Sequence, residues 1–248
     1  MVILKTPQEI AKIREAGRIL AKCHQAIAAM VRPGVTTLEI NDFVEAFLLR
    51  QGAKQVTKGY LGFPFATCAS VNDVIAHGFP NKTPLQDGDI VKIDIVCSVD
   101  GWMADSARTY TVGQASKEAK RLIQITQECL ELAIPKAVIG KHIGDVMHVI
   151  QRHAENAGFS VVRDLVGHGI GRALHEDPKF QHVGTPGKGF KLKEGMVITI
   201  EPMINEGSPD MYIESDGWTA RTWDGGWSAQ FEHTVAITKE GPQVLTKL

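Results

Sequence analysis

Cysteine is scarce in this chain. Its 248 residues include four, Cys23, Cys68, Cys97 and Cys129, and no two of them form a CxxC pair. That spacing offers neither a thiolate zinc cluster nor a disulfide framework, and it fits reduced thiols in the cytoplasm. Long apolar runs are also missing. None approaches the roughly 18 residues that a membrane-spanning helix needs, and the opening MVILKTPQEI places Lys5 and Glu9 too early for a secretory signal. Neither charge sign dominates, with 27 Lys and Arg against 28 Asp and Glu. Without a basic stripe, a nucleic-acid partner is not expected. No Pro-, Ser- or Gly-rich linker divides the sequence, so residues 1–248 are expected to form one domain. Composition thus points to a soluble, cytoplasmic protein without a membrane partner.

What is present reads as one pattern used twice. Thr6-Pro7-Gln8-Glu9 is a capping box with proline at the first helical position. Ile10, Ile13, Gly17, Leu20, Ile27 and Met30 keep helical spacing until Arg32-Pro33-Gly34. Thr36-Thr37-Leu38-Glu39 opens a second helix, which Gln51-Gly52 closes. The order then returns at a constant offset. Cys23 matches Cys129, Gly34 matches Gly140, Ile40 matches Val146, Val44 matches Ile150 and Gly52 matches Gly158. One residue further out of step, Leu85 to Asp94 reads against Leu192 to Glu201. Two related halves, about 1–115 and 116–248, are expected, each with two helices followed by strands.

In both halves the matching apolar strand ends on a carboxylate. Asp94 lies in the run Ile90–Val99, and Asp100-Gly101 signals a two-residue hairpin turn into a strand from Trp102 to Val112. That turn sets Asp94 opposite Ala107 and Val96 opposite Asp105, so Asp94 and Asp105 share one sheet face as diagonal neighbours. A solvated face marked by Lys92 and Asp94 is one interpretation. The other is a partly buried pair, which repels itself unless a proton or cation intervenes. The second half offers Glu201, after Met196–Ile200, and Glu232, in the strand-like run Ser228–Ile237. The duplication makes Asp94 the counterpart of Glu201 and Asp105 that of Glu232. Four acids meeting near an internal axis suit two divalent cations.

No HExxH motif is present. The segment Gly167-His168-Gly169-Ile170-Gly171-Arg172-Ala173-Leu174-His175-Glu176-Asp177-Pro178 instead brackets a histidine with glycines, which lets backbone approach a neighbour closely. A flexible loop with incidental histidines is the alternative. His77-Gly78 follows a strand-like stretch, while His24, His142, His148, His153, His182 and His233 read as surface or structural.

These residues together resemble the type I methionine aminopeptidases, peptidases of an M24-like family with the pita-bread (creatinase/aminopeptidase) fold. The motifs are AHGFP at His77, KIDI at Asp94, DSART at Asp105, GHGIGRALHEDP, TIEP at Glu201 and QFEHT at Glu232. The resemblance covers essentially the whole chain. The stretch from His168 to Glu201 is too short for the helical insertion of type II enzymes, and no zinc-binding extension precedes the first helix.

The resemblance implies an α+β fold with pseudo-twofold halves and a central antiparallel sheet covered by helices. It implies an enzyme that removes the initiator methionine from nascent polypeptides near the ribosome, as a monomer. Asp94, Asp105, His168, Glu201 and Glu232 would hold two divalent ions, and the donor set favours Mn, Fe or Co. Glu201 would also act as general base, and His77 and His175 would bond the substrate. Tyr60, Phe63, Cys68, Leu174 and Trp218 would line the methionine pocket, with Phe63 and Leu174 standing where relatives often carry tyrosine and phenylalanine. Asn72, Val74 and Ser228 match a monovalent-cation site. The alternatives are a Xaa-Pro peptidase of the same fold and a metal-free peptide-binding protein on it.

Overall fold

The computed structural model describes residues 1–248. Helix α1 spans Pro7–Ala28, and its capping box is complete: Thr6 accepts from the Glu9 amide and Glu9 accepts from that of Thr6. It ends before Arg32-Pro33-Gly34, where the Ala29 amide turns back to the Ala26 and Ile27 carbonyls. Helix α2, Thr37–Arg50, begins with the same device at Thr36 and Glu39. Both helices border a first core built from Ile13, Leu20, Val44, Ile93 and Ile95. Helices α3, Lys117–Ala133, and α4, Ile143–Asn156, border a second core that includes Leu122, Val146, Ile198 and Ile237. Each amphipathic helix buries its apolar stripe against its own half's strands.

The duplication is visible in the backbone. Gly34 and Gly140 both hold left-handed conformations (φ 88° and 86°), which glycine adopts without the Cβ penalty. Their amides donate to the Leu85 and Leu192 carbonyls, each at 2.9 Å. The strand ladders are antiparallel throughout. The strands group into four sheets, of four, three, three and five strands. The hairpin of Ile90–Val99 and Trp102–Thr111 turns at Asp100-Gly101, both with positive φ, and pairs Asp94 with Ala107 and Val96 with Asp105. That is the register the turn signal predicts.

The second hairpin departs from expectation. Ser228–Ile237 is not one strand but two, Ser228–Gln230 and His233–Thr238. Opposite them lie Met203–Asn205 and Val197–Ile200. His233 pairs with Ile200 and Gln230 with Met203, so a single register runs through the gap and sets Glu201 against Glu232. Pro202 has no amide proton to continue the ladder.

This register corrects the expected equivalence of Asp105 and Glu232. With Asp94 matched to Glu201, the residue opposite Glu201 is the counterpart of Ala107, and Asp105 matches Gln230. The seam between the halves agrees. Thr109 brackets Gln230, donating to its carbonyl at 2.7 Å and accepting from its amide at 3.0 Å. Thr234 brackets Asp105 the same way, at 2.8 and 3.0 Å. The fourth carboxylate therefore sits where the first half carries alanine, and its amide donates to Ala107 at 2.9 Å.

Candidate metal centre

Five side chains from both halves converge where the ladders meet. Ligand atoms of Asp105, His168 and Glu232 all lie within 4.8 Å of one another. The His168 Nε2 is 3.7 Å from Glu201 Oε1 and 3.9 Å from Asp105 Oδ2, beyond hydrogen-bond reach. Its Nδ1 is 2.9 Å from the Gly169 carbonyl, an acceptor only, so Nδ1 carries the proton and Nε2 faces the acids with a lone pair. Asp94 shares the cavity with these four.

Lone pairs are left over. Asp94 Oδ1, Asp105 Oδ1 and Glu232 Oε1 are buried without a hydrogen-bond partner, an arrangement that is costly without countercharge. Burial lifts the Asp94 carboxyl to about 6 and Glu201 to about 8. Asp105 and Glu232 are pushed well above the ordinary range, first by burial and then by neighbouring carboxylates. Burial lowers His168 to about 3, which keeps it neutral and able to ligate. Four acids, one neutral imidazole and orphaned oxygens fit divalent cations.

The GHG glycines make a different close approach from one toward a ligand. A Cβ on Gly167 would lie 2.9 Å from the Thr199 carbonyl, and one on Gly169 would lie 2.3 Å from that of Asp177. Both glycines admit neighbouring strands against His168. Two further residues act on the centre. Thr199 Oγ1 donates to Glu201 at 2.6 Å and accepts from the His168 amide at 2.9 Å. It stands two residues before Glu201, so strand alternation signals that it shares that face. Fully buried His182 accepts from the Glu201 amide at 3.0 Å, and no sequence signal marks it.

A cavity of about 320 Å³ opens over the acids, with His77, His175 and Tyr60 in its wall. The His175 Nδ1 is 2.7 Å from the Tyr60 hydroxyl. A smaller adjoining cavity of about 150 Å³ collects every residue expected in the pocket: Tyr60, Phe63, Cys68, Leu174 and Trp218, beside His77 and His175. Phe63 meets Trp218 edge-on at 5.1 Å. Cys68 faces Asp94 in register, and burial followed by the Asp94 charge raises its thiol far above its usual range, so it stays a protonated wall residue. Thr57, Leu61 and Val96 also line this cavity, and their sequence settings did not mark them.

Two of the three residues expected at a monovalent-cation site are bonded by the protein's own lysine. The Lys92 Nζ donates to the Asn72 carbonyl at 2.7 Å and to that of Ser228 at 2.8 Å. Val74 lies in the neighbouring strand Val74–Ala76 and makes no bond to Lys92. Lys92 is 1% exposed, so it does not mark a solvated face.

The sequence profile of metallopeptidase family M24 matches residues 11–239. The chain belongs to that family. Among M24 relatives, methionine aminopeptidase A of a Synechocystis species is 49% identical over 99% of this chain and 97% of its own length. Methionine aminopeptidase 1 of Bacillus subtilis is 46% identical over the full length of both. The crystal structure of methionine aminopeptidase from Rickettsia prowazekii superposes with a TM-score of 0.98 at 42% identity, covering 99% of this chain and 100% of the other. Prolidase from Pyrococcus furiosus shares the fold at a TM-score of 0.80 and 26% identity, and 66% of it is covered. Use of a divalent metal is a property of this metallopeptidase family. No helix is long and apolar enough to cross a membrane.

Proposed function

We propose that this M24 enzyme removes the N-terminal methionine from new polypeptides. The observation that carries the proposal is the junction of the acid–imidazole cluster with the small, largely apolar cavity beside it. A free N-terminal methionine side chain suits that cavity, whose aromatic and thiol walls match a polarizable thioether. Its scissile carbonyl then lies toward the carboxylates.

In this reading Asp94, Asp105, His168, Glu201 and Glu232 would hold two divalent ions, of Mn, Fe or Co character. When bound they supply Lewis acidity and a water of lowered pKa. Glu201, steadied by the Thr199 hydroxyl, accepts the proton from the attacking water. His175, oriented by Tyr60, donates to the carbonyl oxygen as it becomes an oxyanion, and His77 bonds the amide nitrogen of the second residue. The chain works as one catalytic domain of two related halves, as a cytoplasmic monomer acting on nascent chains near the ribosome, with no nucleic-acid or membrane partner.

Proline-directed cleavage is the rival within the fold, and the extent of the methionine aminopeptidase relatives disfavours it. A metal-free binding role leaves the buried carboxylates without countercharge. The deciding experiment compares Met-Ala-Ser with Ala-Pro-Ala on chelator-stripped protein given Mn²⁺, Fe²⁺ or Co²⁺. Metal-dependent release of methionine alone is expected. Cleavage before proline moves the protein to the rival class, and absence of turnover with every metal overturns the enzymatic reading.

A further inference from the structure

Lys92 lies two positions before Asp94 on the same sheet face, yet it contacts neither cavity. Its Nζ joins three segments. Asn72 sits in a left-handed turn (φ 48°) that leads into Val74–Ala76 and His77. Its side chain accepts from the Ile90 amide at 3.0 Å and donates to Asp89 at 2.9 Å, which fixes the turn to the base of the Lys92 strand. Ser228 opens the short strand Ser228–Gln230 of the second half, which leads into Phe231-Glu232. The Ser228 amide also donates to the Asn72 carbonyl, at 3.1 Å. A single nitrogen thereby bonds carbonyls from both halves, ahead of Glu232 on one side and of His77 on the other.

A lysine is an expensive choice for filling space. Burying its nitrogen costs far more than burying a methylene of the same volume, unless the nitrogen's bonds serve a purpose. Converging backbone carbonyls are also how proteins coordinate hard cations. The Lys92 nitrogen stands at that convergence on a tether of its own.

We propose that Lys92 is a positioning residue, a tethered cation that sets the segments bearing Glu232 and His77 across the two halves. We further propose that its truncation turns the Asn72 and Ser228 carbonyls into a site for a free monovalent cation. The proposal rests on the metal-centre reading for one of its two readouts only.

The test uses full-length Lys92→Ala and Lys92→Met, stripped with chelator, in KCl, NaCl or choline chloride at equal ionic strength. One readout is the thermal midpoint without divalent metal, and the other is Mn²⁺ affinity by calorimetry. The wild-type midpoint should be the same in all three salts. Lys92→Ala should melt lower in choline chloride and recover in KCl or NaCl. Its Mn²⁺ affinity should fall about 10–100-fold in choline, the usual effect of losing an outer-shell partner, and return toward wild type with K⁺ or Na⁺. Lys92→Met keeps the volume but leaves no room for an ion, so salt should not rescue it.

Identical behaviour of the two variants in every salt would overturn the cation site, and a Lys92→Ala affinity within about twofold of wild type in choline would overturn the positioning role. If Lys92→Ala fails to fold in all salts, Lys92→Met decides: affinity weakened about tenfold supports the positioning role, and unchanged affinity overturns it. If wild-type protein binds no Mn²⁺, the metal-centre reading fails, and the midpoint series alone decides the fate of Lys92.

Discussion

At the residue scale, protonation and metal binding compete for the same oxygens. The folded protein raises Asp94 to about 6 and Glu201 to about 8, mainly through burial. Raised carboxyls bind more protons folded than unfolded, so their contribution is complete below the unfolded values and is lost as pH rises through 6 to 8. The thermal midpoint of metal-free protein should therefore fall between about pH 5 and pH 8.5. Divalent ion should offset that fall, because the ligands bind it deprotonated. A metal-free midpoint that holds level or rises over this range contradicts the burial of these groups. His168→Ala and Glu201→Ala should each abolish turnover while circular dichroism reports an intact fold, and retained activity in either removes that residue from the centre. His175→Ala should lower kcat by about 10²–10⁴-fold with metal content unchanged. Loss of metal from that variant would make His175 a ligand instead of a proton donor.

At the scale of elements, the loop that carries Leu174 and His175 is held by one carboxylate. Glu176 accepts from the Arg172 amide at 2.8 Å and the Ala173 amide at 3.2 Å, and its other oxygen takes the buried Lys5 ammonium. Glu176→Ala strands that ammonium, a loss of about 3–5 kcal/mol for a buried pair. It should also lower kcat while leaving Mn²⁺ affinity near wild type, measured by denaturant melts, kinetics and calorimetry. Unchanged kcat would separate this loop from catalysis. Helix starts and the Asp100-Gly101 hairpin were legible in the sequence because their signals are local, in capping residues and turn dipeptides. The break at Phe231-Glu232 was not, since apolar alternation runs on through it. Only the partner strand, with Pro202, shows where the ladder stops. The roles of Lys92 and His182 were hidden for the same reason, because each depends on a backbone atom distant in sequence.

At the scale of the whole molecule, a duplicated unit has produced a centre that is not itself symmetric. The seam threonines Thr109 and Thr234 keep the twofold relation, whereas Glu232 occupies the position that is alanine in the first half. Hairpin register alone placed Asp94 and Asp105 on one sheet face, the pairing the structure has. Family resemblance was needed to choose His168 among nine histidines. The pocket residues, scattered from Tyr60 to Trp218, come together because a short turn and the Cys68 strand of the first half meet two loops of the second. The proposed function requires this junction of halves to hold divalent metal. Calorimetric titration of chelator-stripped protein with Mn²⁺, beside Glu232→Ala, decides whether it does. Two ions per wild-type chain, with at least one lost in the variant, is the expected result. Absence of Mn²⁺ binding to wild type, or undiminished binding to Glu232→Ala, would contradict it.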